Sequence, residues 1–209
     1  MRIKEKFNKK LLVEGNDDQH VIWALCEQFK INETFDVIDC EGIDKLLEQI
    51  PVRLKQSSVD TIGIIIDADS NLLLRWNSLK QLLRAQGFII PEDLPKNGLI
   101  VFVAGHISIG IWIMPDNNLN GMLEDFLSFL VPSNDSLLPI VTEHLSSIET
   151  KQLNKYKPIH KSKAIIHSWL AVQENPGTPM GLSITKRYLS TDDDICLKFV
   201  DWMKELFKQ

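Results

Sequence analysis

The chain reads as an α/β protein built on an open, mainly parallel sheet flanked by helices, with a helical C-terminal extension. Three observations predict this. Apolar strand-like runs alternate with helix-periodic segments through the first half. The run Thr61–Ile66 (TIGIII) is continuously apolar, as a strand buried on both faces must be. Beyond residue 132 the strand signals stop and helical spacing continues alone.

The first strand is expected at Lys10–Glu14 (KLLVE). Gly15-Asn16-Asp17-Asp18 is turn chemistry followed by a helix start, with Asn16 or Asp17 able to cap the free amides. Val21, Ile22, Leu25 and Phe29 then share one helical face. Phe35–Asp39 (FDVID) is the second strand, and Gly42 breaks it. Ile43, Leu46, Leu47, Ile50 and Leu54 continue at helical spacing, with Pro51 expected to kink or end that helix. Thr61–Ile66 runs into Asp67-Ala68-Asp69-Ser70, and a helix follows from about Asn71, with Leu72, Trp76, Leu79 and Leu83 on one side and Gly87 closing it.

A loop from Pro91 to Gly98 leads to two further strands, Leu99–Ala104 and Ile109–Met114, joined through Gly105-His106-Ile107-Ser108. Met122–Val131 is a short helix carrying Glu124 and Asp125. Leu137–Leu153, Ala164–Val172 and Asp192–Phe207 complete the helices. The expected organisation is a core over residues 1–132 and a helical extension over 133–209, packed together as one unit.

Composition bounds the function. With 44% hydrophobic and 24% charged residues in a 209-residue chain, a well-packed core is expected. No run approaches the roughly 18 apolar residues of a membrane span, and the basic N-terminus lacks the pattern of a signal peptide. Three separated cysteines, Cys26, Cys40 and Cys196, show no zinc spacing and read as reduced thiols of a cytoplasmic protein. Net charge is −5, unevenly spread. From Glu149 to Tyr188 seven bases face two acids, giving +5, so the remainder carries −10. An acidic body beside a basic segment suits a metal centre facing a phosphate-binding wall. Ordinary surface charge accounts for the same asymmetry equally well.

In an open parallel sheet, ligands bind beyond the carboxyl ends of the strands. Glu14 ends the first strand; Asp67 and Asp69 follow the third. Residues two apart on an extended segment point the same way, so both aspartates are expected to reach one ion. Asp18 lies one helical turn after Glu14. Crowded carboxylates repel unless a cation neutralises them, and all-oxygen ligands favour Mg²⁺ or Mn²⁺. An Asp-x-Asp pair alone is weak, because turns and helix caps explain most such pairs. The strand-ending Glu-Gly with the later Asp-x-Asp is more specific.

Those motifs, Leu11-Leu12-Val13-Glu14-Gly15 and Ile64-Ile65-Ile66-Asp67-Ala68-Asp69, resemble the Toprim domain over about residues 8–130. That module serves bacterial primases, topoisomerases, 5S ribosomal RNA maturases and the overcoming-lysogenisation-defect nucleases. Three further segments, Gly110–Asn117, Gly121–Phe126 and Lys163–Ala171, resemble a bacterial family of small stand-alone Toprim-like proteins of unknown function. The resemblance implies that Glu14 is a general base or metal ligand and that Asp67 and Asp69 hold the metal. Asp18 matches the second acidic position of the lysogenisation-defect nucleases. Asp116, Glu124, Asp125 and Lys163 are weaker candidates for their later acids and lysine, without motif support. Tyr156 and Tyr188 lie outside any recognisable second catalytic domain, which disfavours topoisomerase chemistry.

Other residues have plain readings. Glu124 and Asp125 open a helix, where acids suit the dipole; Lys163 opens one too, where a cation does not. Lys155, Lys157, His160, Lys161 and Lys163 could line a nucleic-acid path. His20, His106 and His144 offer no metal spacing, and His167 reads as a surface residue. Trp76, Trp112, Trp169 and Trp202 fall on apolar periodicities and are expected in the core. No phosphate-binding glycine loop is present. The expected function is a Mg²⁺- or Mn²⁺-dependent nuclease acting on DNA or RNA. The alternative is a silent Toprim-fold module working with a partner such as an ATPase. A haloacid-dehalogenase-like phosphatase is disfavoured, because its Asp-x-Asp follows the first strand.

Overall fold

Thr61–Ile66 is wholly buried, as its unbroken apolar run requires, and it forms the middle of a five-stranded sheet. The computed structural model describes residues 5–102 and 107–208. Its strands are β1 (Lys9–Val13), β2 (Asp36–Asp39), β3 (Thr61–Asp67), β4 (Leu99–Val101) and β5 (Ser108–Met114). They lie in the order β2-β1-β3-β5-β4. All neighbours are parallel except β4, which pairs antiparallel with β5 at one edge. The fold class is therefore α/β with a mainly parallel sheet. The expected ends of the fourth strand, Val103 and Ala104, and its joint at Gly105-His106 lie outside the described residues.

Eight α-helices flank the sheet among the described residues: α1 (Asn16–Gln28), α2 (Ile43–Leu54), α3 (Leu72–Ala85), α4 (Leu123–Phe129), α5 (Leu137–Thr150), α6 (Lys161–Ala171), α7 (Met180–Thr185) and α8 (Asp194–Phe207). Alternation along the strands sorts the core into two halves. Leu12, Ile62, Ile64, Ile66, Ile111 and Ile113 pack against α2 and α3. Leu11, Val13, Ile65, Trp112 and Met114 pack against α1, α4, α6, α7 and α8. The C-terminal helices thus belong to the same core as the sheet.

Two glycines bring α8 close. Gly63 and Gly110 are paired across β3 and β5. A Cβ on Gly110 would lie 2.4 Å from Leu206 Cδ2, and one on Gly63 would lie 2.5 Å from Leu11 Cδ1 and 3.0 Å from Leu206 Cδ2. The bare backbone makes a trough that Leu206 fills, so a side chain at Gly110 would displace Leu206 and one at Gly63 would displace Leu11.

Three local expectations change. Pro51 neither ends nor visibly divides α2, which continues to Leu54. It sits in the last turn, where its missing N–H costs a single bond. Neither Asn16 nor Asp17 caps α1. The N-cap is Gly15, whose N–H donates to Asp18 Oδ2 at 3.1 Å. No element is expected from sequence at α7, yet it packs tightly on α1. Its Gly181 sits where a Cβ would be 2.5 Å from the His20 carbonyl oxygen.

Trp76, Trp112, Trp169 and Trp202 are all buried, as expected of core residues. Among the described residues no helix is long and apolar enough to cross a membrane. Cys26, Cys40 and Cys196 are free thiols.

Candidate functional site

The strand order sets the site. From β1 the chain crosses by way of α1 to β2 on one side, then returns by way of α2 to β3 on the other. Those two helices lie on opposite faces, so a crevice opens beyond the carboxyl ends of β1 and β3. A cleft of about 570 Å³ occupies that position. Glu14, Asp18, Asp67, Asp69 and Glu124 line it, with Lys163 and His160 at its rim.

Glu14 and Asp67 meet directly across the crevice. Glu14 Oε1 accepts the Asp67 backbone N–H at 2.7 Å. Asp67 Oδ1 in turn accepts the first amide of α4, from Leu123, at 3.0 Å. Asp18 is buried beneath them, its carboxylate holding the Gly15 amide. These acids share too little compensating charge. Burial pushes Glu14 above the ordinary carboxylate range, against the Asp67 amide and Arg75, which pull it down. Burial and then Glu14 push Asp18 up to about 7. Burial, followed by Asp18, Glu14 and Glu124, raises Asp67 well above its usual value.

Asp69 departs from expectation. β3 ends at Asp67, and Asp69 has φ 52°, so the extended alternation that would aim both aspartates together is broken. Reciprocal backbone bonds of 2.8 Å with Gly121 fix this conformation. Gly121 itself has φ 142°, and a Cβ there would strike the Asp125 carboxylate. Asp69 still lines the cleft, but its carboxylate is ion-paired with Arg75.

Glu124 and Asp125 divide the two roles open to them. Glu124 is 3% exposed, lines the cleft and pairs with Lys163 Nζ at 3.1 Å. Asp125 does not line the cleft. It accepts the Met122 amide at 2.9 Å, capping α4, and the Ser162 hydroxyl at 2.5 Å. Asp116 is also absent from the cleft lining. Its carboxylate accepts the Asn118 and Leu119 amides at 3.0 and 2.7 Å, closing its own turn.

The basic segment contributes less than its charge suggests. Lys163 and His160 reach the cleft. Burial opposes the Lys163 charge, but Glu124 outweighs it and holds the ammonium above its ordinary value. Lys161 pairs instead with Glu149 on α5 at 2.6 Å. Lys155 and Lys157 are exposed on the approach to α6 and do not line the cleft.

Sequence reasoning missed four participants. Asp17, Asp39 and Glu41 line the same cleft. Asp39 ends β2, so the carboxyl-end rule that selected Glu14 also selects it. Arg75 carries no motif; only the fold sets it against Asp69.

The donor chemistry fits a hard divalent cation, being all oxygen and crowded enough to raise its own proton affinity. Among the described residues, no three His, Cys, Asp or Glu side chains are already arranged as a metal-ligand set. Glu14, Asp69 and Glu124 hold protein donors instead.

No match was found among curated proteins or among solved structures. A family model described as a protein of unknown function, DUF3226, matches residues 8–208, and the chain belongs to that family.

Proposed function

We propose that this protein is a Toprim-like, Mg²⁺- or Mn²⁺-dependent phosphodiester hydrolase acting on DNA or RNA at the cleft between β1 and β3. The observation that carries this reading is the pair of Glu14 and Asp67. The Glu14 carboxylate holds the Asp67 backbone amide, which keeps two half-buried, mutually repelling acids side by side at the sheet crevice, and no cation among their neighbours fully compensates them.

Asp67, Asp18 and, after rotation, Asp69 are the residues that would hold the ion. A bound divalent ion would supply charge neutralisation at the scissile phosphate and lower the pKa of a coordinated water. The chain's own groups account for the remaining chemistry. Glu14, raised by burial, suits a general base that takes a proton from the attacking water. As water adds to phosphorus, the bond to the leaving oxygen breaks. Lys163 at the rim is placed to meet a phosphate oxygen or the leaving oxyanion. His160 lines the same rim and adds a hydrogen-bonding imidazole to it.

Purified protein incubated with DNA and RNA in Mn²⁺ is expected to cut one of them, with Glu14→Gln and Asp67→Asn inactive. Equal cutting by wild type and both variants would sink this reading. A second reading rests on a specific observation: each of Glu14, Asp69 and Glu124 already holds a protein donor. A silent binding module, for a partner such as an ATPase, needs no more than this. It predicts no cleavage, no Mn²⁺ binding and a recoverable protein complex.

A further inference from the structure

Two cations touching cleft acids stand where helix physics disfavours them. Arg75 is the fourth residue of α3 and Lys163 the third of α6. Neither helix has an acid in its first turn. A helix N-terminus repels a cation, so helix stability does not explain either residue. Their partners do: Arg75 is on Asp69, Lys163 on Glu124.

The Arg75 pair has a particular consequence. The backbone of Asp69 is pinned to Gly121 by two hydrogen bonds, so its carboxylate can turn only about its own side-chain torsions. Arg75 and Asp69 are both partly buried, with side chains 28% and 29% exposed, so solvent screens the pair only partly. A divalent cation settling against Asp67 must compete with the guanidinium, which holds Asp69 Oδ2, for the charge of that carboxylate.

We propose that Arg75 is a resident counter-cation for Asp69 and sets the divalent-metal affinity of the cleft by competing for that carboxylate. The proposal rests on the metal-dependent reading above. Arg75 is a positioning residue here, acting through Asp69. While the pair is closed, Asp69 Oδ2 is held and the carboxylate's charge is offset, so it is a poor metal ligand. Apparent affinity falls by the fraction of time it is free, so a pair closed about nine-tenths of the time weakens binding about tenfold. The same pair lets the acidic cleft fold with part of its charge neutralised.

The test is Mn²⁺ titration of the full chain by calorimetry, without substrate. Arg75→Gln is expected to bind Mn²⁺ about tenfold more tightly than wild type. Arg84→Gln removes the same charge from the far end of α3, where Arg84 meets Glu92, and is expected to change nothing. In an Asp69→Asn background, Arg75→Gln should lose most of its effect, because the main coupling runs through that carboxylate and only the weaker field of Arg75 on Glu14 is left. Arg75→Lys keeps the charge without the planar fork and should fall between wild type and Arg75→Gln, which covers the case where the Gln variant is unstable. Equal or weaker Mn²⁺ binding by Arg75→Gln overturns the proposal and leaves the metal site standing. A tightening that persists in full without the Asp69 carboxylate also overturns it. Binding by neither wild type nor any Arg75 variant overturns both the proposal and the metal-dependent reading.

Discussion

The two ends of the sheet both gather charge, and they treat it in opposite ways. At the amino ends, Lys10 is 4% exposed and lies 2.9 Å from Glu5 and 2.7 Å from Asp36. Arg53, also buried, meets Glu5 at 3.0 Å. Two cations match two anions. The Arg53 hydrogen bonds outweigh the push from burial and, with Lys10 adding to them, hold Glu5 down at about 2. Burial would raise Asp36, yet Lys10 and the Phe7 and Lys6 amides keep it below its usual value. At the carboxyl ends the balance is absent, and Glu14, Asp18 and Asp67 are all pushed up. A balanced network closes on itself and holds the fold. An unbalanced one stores repulsion that a ligand can relieve, which is why the carboxyl-end cleft is the place to look for chemistry.

Breaking each end should have a different signature. On the proposed hydrolase reading the largest effect is in catalysis: Glu14→Gln should lower Mn²⁺-dependent cleavage about 10³-fold, or about 4 kcal/mol in barrier, with little loss of thermal stability. A cleavage time course and a melting curve on the same sample read both quantities. At the other end, Lys10→Met should leave the largely buried Asp36 carboxylate without its cation, while Glu5 keeps Arg53, and cost about 3 kcal/mol, seen as a lower urea midpoint. Activity per folded molecule should not change.

Asp18→Asn should act in the reverse direction, stabilising the metal-free protein at pH 7. A carboxylate raised from 3.8 to about 7 resists ionisation in the fold. That is worth about 4 kcal/mol at most, and weakening the Gly15 cap leaves a net gain of about 2 kcal/mol. The pH profile sharpens the contrast. Asp18 binds its proton more tightly folded than unfolded, so its penalty is absent below the unfolded pKa near 4 and complete above about 7. Stability should therefore fall as pH rises through that window, and saturating Mn²⁺ should flatten the slope. Glu5 has the opposite sign: its contribution is present above its unfolded pKa near 4.5 and is lost as pH falls toward 2. Urea midpoints across pH 2–8 test both, and a metal-free midpoint independent of pH between 4 and 7 would contradict the account of Asp18. The smallest effect is expected at Lys157→Ala, within about 0.5 kcal/mol in stability and unchanged in cleavage, because this exposed lysine does not line the cleft.

What the sequence determined by itself was local. The apolar continuity of Thr61–Ile66, the helical spacing through Leu72, Trp76, Leu79 and Leu83, and the acids at strand ends follow from residue type and period, and the structure shows those elements in that order. Of the candidates named from sequence and resemblance, Glu14, Asp18, Asp67, Asp69, Glu124, Lys163 and His160 line one cleft. Periodicity says which face of an element is apolar but not which element lies beside it. Only the tertiary structure decided that β1 and β3 are neighbours, with β5 rather than β4 next to β3. That order creates the crevice, brings the Asp67 amide onto Glu14, and adds Asp39 from β2. It also separated residues that adjacency in sequence had joined. Asp125 turned to cap α4 while Glu124 entered the cleft, and Asp69, held at positive φ by Gly121, left the line of Asp67 for Arg75. Those outcomes depend on contacts between residues far apart in the chain, such as Asp69 with Gly121 and Glu124 with Lys163, and local propensity carries no information about them.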